Sequence, residues 1–389
     1  TAVGHLDTLN GTPTANITGT DYTVAQLKTI NDKIGGALVL ENSGVNLSGT
    51  VAQFKSAFNE TVTTHTGTIT ISDAGTTDIT ATDITAINTA STGSITVSNA
   101  IDINGSGSEV KAAFDAIDTN TGNATANITG TDYTVAHLKA INNKTTGSIV
   151  LADPSAALSG DSTDIAAAFD GTVTTHTGTV GITNNDYTLA ELVVINNAST
   201  GTITLSTTDK DLSGSGADLA AALAGTINYT GNVTVSDSSY TVDQLKAINN
   251  GTSGTITLTN PNVNLSGEAA DIVSAFAGSV TTHTGDITIS DANTSDVNAT
   301  DITTISTAST GNITVSHNID INGSGSQVAT AVGHLDTISG SPTANISGTD
   351  YTVTHLVTIN GAITGAIVLE NAGVALSGTV SQFKSAFAG

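Results

Sequence analysis

Two hydrophobic rhythms take turns along this chain. Residues 67–88, GTITISDAGTTDITATDITAIN, set out the plan: a glycine, a short run in which apolar and polar residues alternate, an aspartate, a threonine-rich turn and a short helix. Alternation with a period of two marks a strand with one buried face, whereas apolar residues returning at every third or fourth position mark a helix. In residues 16–31, NITGTDYTVAQLKTIN, Val24, Leu27 and Ile30 keep the helical spacing. Asp21 or Thr23 is placed to cap that helix and Asn31 to end it. The segment returns at Tyr133, Tyr187, Tyr240 and Tyr351.

Aligned on the first buried strand residue, the unit restarts at Ile17, Leu38, Ile69, Ile95, Ile128, Ile149, Val180, Ile203, Val233, Ile256, Ile287, Ile313, Ile346 and Ile367. The gaps between these positions alternate short and long, from 21 to 33 residues, and a pair averages about 55. Repeats of this size are the mark of a solenoid, in which each unit buries its apolar side against its neighbours. The longer coil carries a further segment of the type VNLSG, residues 263–267, and then a second helix. On that helix Val51, Phe54 and Phe58 form one inward stripe, as do Ile165 with Phe169 and Ile272 with Phe276, so the phenylalanines are read as core.

The prediction is therefore an α/β solenoid of alternating short and long strand–helix coils with a parallel β-sheet, because a chain that passes through a helix before each new strand lays its strands parallel. Fourteen strands are expected in one column. An all-β parallel β-helix is the alternative, but it would turn half of Val24, Leu27 and Ile30 and their counterparts toward water. Residues 1–389 are expected to form a single continuous solenoid of about seven two-coil repeats. Above this lies a longer period: residues 1–58 return at 330–387, an offset of 329, so that 330–389 repeat 1–60. Neither end shows a polar capping coil, so the array is expected to continue, along a longer polypeptide or by end-to-end stacking.

Composition supports thin stacked layers over a thick core. Aromatic residues make up 3% of the chain, and Trp, Met and Cys are absent. With nine basic residues against 34 acidic ones the formal charge is −25, a surface that repels phosphate backbones and anionic lipid, which argues against nucleic acid and membrane surfaces as partners. No apolar run approaches the roughly 20 residues needed to span a bilayer. A chain without Cys, Met or Trp offers oxidants little to attack, which fits an extracellular or cell-surface location.

The TITISD and YTVAQLKTIN segments resemble the giant threonine-rich, lysine-poor repeat proteins of bacterial cell surfaces, including the large surface proteins of marine cyanobacteria. That resemblance implies an extracellular adhesin, sheath, surface-layer or filament role. The strand-then-helix order is also similar to leucine-rich repeats, although the LxxLxLxxN signature is absent and no concave ligand face carries over.

Asp21, Asp73, Asp132, Asp186, Asp237, Asp291 and Asp350 form a column read first as cap or turn aspartates. Within it, Asp73, Asp78 and Asp83, and again Asp291, Asp296 and Asp301, place three carboxylates among Thr and Asn oxygens, which suits calcium, the one cofactor the sequence suggests. His65, His176 and His283 share the context TTHTG, but their separation along the stack is too great for one metal, so they are read as exposed or half-buried coil residues. Thr70, Thr96, Thr204, Thr234, Thr257, Thr288 and Thr314 point outward from successive strands, an arrangement that would suit ice binding but is also what β-propensity produces.

No nucleophile–base pair, phosphate loop or cysteine cluster is present. The expectation is not an enzyme but a structural protein of a filament, sheath or adhesin stalk, partnered head to tail by itself. A module binding calcium, ice or surface polysaccharide is the alternative.

Overall fold

The computed structural model describes residues 9–59 and 61–388. The fold is an α/β solenoid: strand–helix units repeat along the chain, with fourteen helices among the described residues, and every paired strand lies parallel to its neighbour. Contacts divide the chain into two compact units, Thr1–Tyr187 with Asn197–Ser206, and Thr188–Asn196 with Thr207–Gly389.

Within the first unit the three-residue spacing folds as helix. Val24–Asn31 buries Val24 and Leu27, and Thr23 holds its N-terminus in a capping box with Gln26. Thr23 rather than Asp21 is thus the cap. Helix Val51–Ala57 buries Val51, Phe54 and Ala57 and is capped in the same way by Thr50. Further helices follow at Ala81–Ala90, Gly107–Ala116, Val135–Asn142 and Ser162–Phe169, each packed on the one before. The all-β alternative fails here, because helical coiling puts those apolar residues on one side.

The strands do not form the single column of fourteen. Leu47–Gly49 pairs with Ile69–Ile71, which pairs with Ile95–Val97, which pairs with Thr119–Asn120. A second ladder runs Asp78–Thr80, Asp102–Gly105, Thr125–Ile128 and Ile149–Leu151. Leu38 therefore faces Ala15 and Val62, not Ile69. The reason is a mismatch of periods: Leu47, Ile69 and Ile95 face one another at separations of 22 and 26 residues, whereas the helices beginning at Val51, Ala81 and Gly107 are 30 and 26 apart. The ladder slips toward the preceding helix until it ends, and a new one starts on the strand just before the next helix.

The second unit repeats the scheme. One ladder runs Leu265–Gly267, Ile287–Ile289, Ile313–Val315 and Thr337–Ile338, and another Asp296–Asn298, Asp320–Gly323, Thr343–Ile346 and Ile367–Leu369. Its helices include Gly216–Leu223, Val242–Gly251, Ala269–Ala275, Ala299–Ala308, Gly325–Val332, Val353–Ala362 and Val380–Ala386.

In both units the core is thin and aliphatic, with Phe54, Phe114 and Phe169 buried as expected and Phe58 and Phe276 half-buried. Close stacking depends on glycine before the strand. A Cβ on Gly93 would overlap the carbonyl of Gly67 one coil below, and one on Gly311 would overlap that of Gly285.

Candidate functional site

The polar side chains that matter most join one coil to the next. Five aspartates of the column each serve a helix, but the helix belongs to the preceding coil. Asp73 accepts from the backbone N–H of Val51 at 2.7 Å, Asp132 from Gly107 at 2.9 Å, Asp237 from Gly216 at 3.1 Å, Asp291 from Ala269 at 2.8 Å and Asp350 from Gly325 at 3.0 Å. In the one variant Asn184 takes over, accepting from Ser162 N–H at 2.8 Å and donating to Asp186 at 2.7 Å. A carboxylate at a helix N-terminus satisfies an orphan donor and meets the positive end of the macrodipole. The Gly107 N–H holds the Asp132 carboxyl below the usual range, and the Ser326 hydroxyl, with the Gly325 N–H, holds Asp350 down at about 2. The sequence shows the column but not its direction, because the helix end that each carboxylate meets lies 21 to 25 residues away.

Two further columns knit the coils. Asn31 is the last residue of its helix, and its amide donates to Ser56 O and Asn59 O of the next coil. Asn142, Asn249 and Asn360 do the same to Ala167, Ser274 and Ser385. The hydroxyls of Tyr22, Tyr133, Tyr240 and Tyr351 donate to the carbonyls of Asn42, Asp153, Asn260 and Asn371. Burial raises the phenols of Tyr22 and Tyr133, and burial with the nearby Asp237 charge pushes Tyr240 up to about 12.

The histidines differ from expectation. His65, His176 and His283 are fully buried, not exposed or half-buried. Each packs on a phenylalanine of its own coil, Phe58, Phe169 or Phe276, at 5.4 to 5.6 Å between ring centroids. His65 Nε2 lies 2.8 Å from the Val45 carbonyl and Nδ1 3.3 Å from the Ser91 hydroxyl, and His283 repeats both with Val263 and Ser309. Burial lowers all three imidazoles below their ordinary value. The TTHTG context offered no sign that the ring turns inward.

The calcium candidates come together only in part. Asp73, Asp78 and Asp83 line one open groove of about 570 Å³ with Val51, Lys55 and Ile79. Within it Asp73 holds Val51 N–H, Asp78 accepts from Asn104 at 3.0 Å, and Asp83 pairs with Lys55 at 2.7 Å. In the second unit Asp291 holds Ala269 N–H, Asp296 accepts from Asn322 and Asp301 from Asn298. Among the described residues no group of three or more His, Asp or Glu is placed to hold a metal ion.

The outward threonines are likewise divided. Ser48, Thr70, Thr96 and Thr119 make one row and Ser266, Thr288, Thr314 and Thr337 another, each row ending where its ladder ends.

No protein-family model matches the chain, and no curated protein matches it. No helix among the described residues is long and apolar enough to cross a membrane.

Proposed function

We propose that this is a structural repeat protein of an extracellular filament, sheath or adhesin stalk, in which coils of this kind add end to end. One observation carries the reading. Residues 41–58 and 370–387 have nearly the same sequence and form the same capped helix, Val51–Ala57 and Val380–Ala386. Val51 is 2% exposed because the coil at residues 61–83 lies over it, with Asp73 of that coil accepting from Val51 N–H. The segment Leu47–Gly49 is a strand because it has Ile69–Ile71 of the next coil to pair with.

Each coil thus completes its core and its strand pairing against the next one, so the fold favours stacking coil on coil, since burial of apolar area drives association. An acidic exterior, with the charge at −25, keeps lateral contacts between stacks weak. Electron microscopy of native material carrying this sequence is expected to show fibres of uniform width. Discrete particles with no axial periodicity would overturn the proposal.

A further inference from the structure

The ladder that begins at Asp78–Thr80 starts on an open edge inside the first unit. Its first strand pairs with Asp102–Gly105 on one side and with no strand on the other. Asp102 N–H donates to the Thr77 carbonyl at 2.9 Å. Successive residues of a parallel strand turn their backbone groups to opposite neighbours, so the N–H groups of Asp78 and Thr80 and the carbonyl of Asp78 point away from that partner. Among the described residues neither N–H has an acceptor, and the Thr80 side chain makes no cap bond to its helix. The second unit repeats the edge at Asp296–Asn298, where Asp320 N–H donates to Ser295. Other ladder starts are covered. The strands Leu47–Gly49, Leu158–Gly160, Leu212–Gly214 and Leu265–Gly267 lie against the first residue of a preceding helix, Val24, Val135, Leu189 and Val242. A Cβ on Gly49 would sit 2.4 Å from Val24 Cγ1, and one on Gly214 would sit 2.3 Å from Leu189 Cδ2. The Asp78–Thr80 edge instead fronts the groove of about 570 Å³, with Ala52, Lys55 and Ser56 of helix Val51–Ala57 on its other wall.

We infer that this edge is a docking site for an extended basic peptide, which lies in the groove and adds one more strand beside Asp78–Thr80. Main-chain bonds to the N–H and carbonyl of Asp78 and the N–H of Thr80 supply the affinity, and side chains alternate along the added strand. The one level with Ile79, which is buried, turns inward and should be apolar. Those level with Asp78 and Thr80, both exposed, turn outward. Charge selects the outward ones. Asp78 stands in register beside Asp102, and among the described residues neither carboxylate is paired with a lysine. A lysine level with Asp78 would complete an opposite-charge pair on one face of the sheet, a stabilising neighbour. A second copy of this chain, with a charge of −25, is repelled from the same place. The edge lies within the unit and is independent of how coils join end to end.

Two end-capped peptides test this on the full chain: Thr-Lys-Val-Thr-Lys-Val, and the same peptide with glutamate in place of both lysines. Hydrogen exchange is followed at the amides of residues 77–81. At a concentration about ten times its Kd the lysine peptide should slow exchange there about tenfold, because only the unliganded edge then exchanges, and the glutamate peptide should leave it unchanged. Thr80→Pro removes one edge N–H and suits the backbone, since φ at Thr80 is −72°; the lysine peptide should then no longer protect Asp78. Asp78→Lys, a change at an exposed position, should exchange the preferences of the two peptides. Equal protection by both peptides overturns the basic partner, and undiminished protection in the Thr80→Pro chain overturns strand addition. No protection of residues 77–81 by the lysine peptide up to its solubility limit overturns the docking site altogether.

Discussion

The phenol of Tyr240 reaches across to the next coil and donates to the backbone carbonyl of Asn260, 2.7 Å away. The ring is buried, so the bond links two layers from inside the stack. Tyr240→Phe keeps the ring and removes the link, and should cost about 1 kcal/mol, the usual net worth of one such bond. Chemical denaturation of the single variant, and of one also carrying Tyr351→Phe, checks this: the two losses should add, since they sit in different coils.

High pH should attack the same groups. Because the Tyr240 phenol is raised from 10.0 to about 12, the fold favours its neutral form. Its contribution is complete below pH 10 and is lost as pH rises toward about 12, and Tyr22 and Tyr133, shifted the same way, add to the loss. Tyrosinate absorbance and circular dichroism recorded through one alkaline titration should change together.

Mild acid should act through the buried imidazoles. His65, His176 and His283 are lowered from 6.5, so the folded chain holds them neutral while the unfolded chain protonates them. Stability should be level above that value and decline as pH falls below it. Replacing all three by Gln should flatten this part of the profile in thermal melts at graded pH.

Removing an aspartate of the column should loosen a helix in the coil before it. Asp73→Ala leaves Val51 N–H without its acceptor and should cost about 1 to 2 kcal/mol, the range for losing a cap. Amide exchange should quicken at residues 51–54 rather than in the helix that follows Asp73.

Calcium should matter little to folding. Asp83 is paired with Lys55, and Asp73 and Asp78 are taken up by Val51 and Asn104. Melting with and without a chelator is expected to coincide, whereas a rise with calcium would show a site that binds only the folded chain.

Much of this architecture is legible in the residues themselves. The spacing of Val24, Leu27 and Ile30 specifies a helix, and the gaps between repeats specify a solenoid, because both depend on neighbours along the chain. What the sequence hides lies between coils. Nothing near Asp73 says that its partner is Val51, and nothing near Asn31, which ends its helix as its position suggests, says that it is also a buried tie to Ser56 and Asn59. The strand register is hidden for a similar reason: aligning repeats on like residues puts Leu38 and Ile69 in one column, while hydrogen bonds join Ile69 to Leu47. The inward turn of His65 follows from Phe58 and the carbonyl of Val45, which its own neighbours do not reveal.

The slipping ladders have a mechanical consequence. In the first unit the ladder that ends at Thr119–Asn120 overlaps the one that begins at Asp78–Thr80, so the coils in between are held by both. Masonry laid in running bond resists splitting for this reason: no joint runs straight through, and a crack opened along one seam meets the middle of the next course.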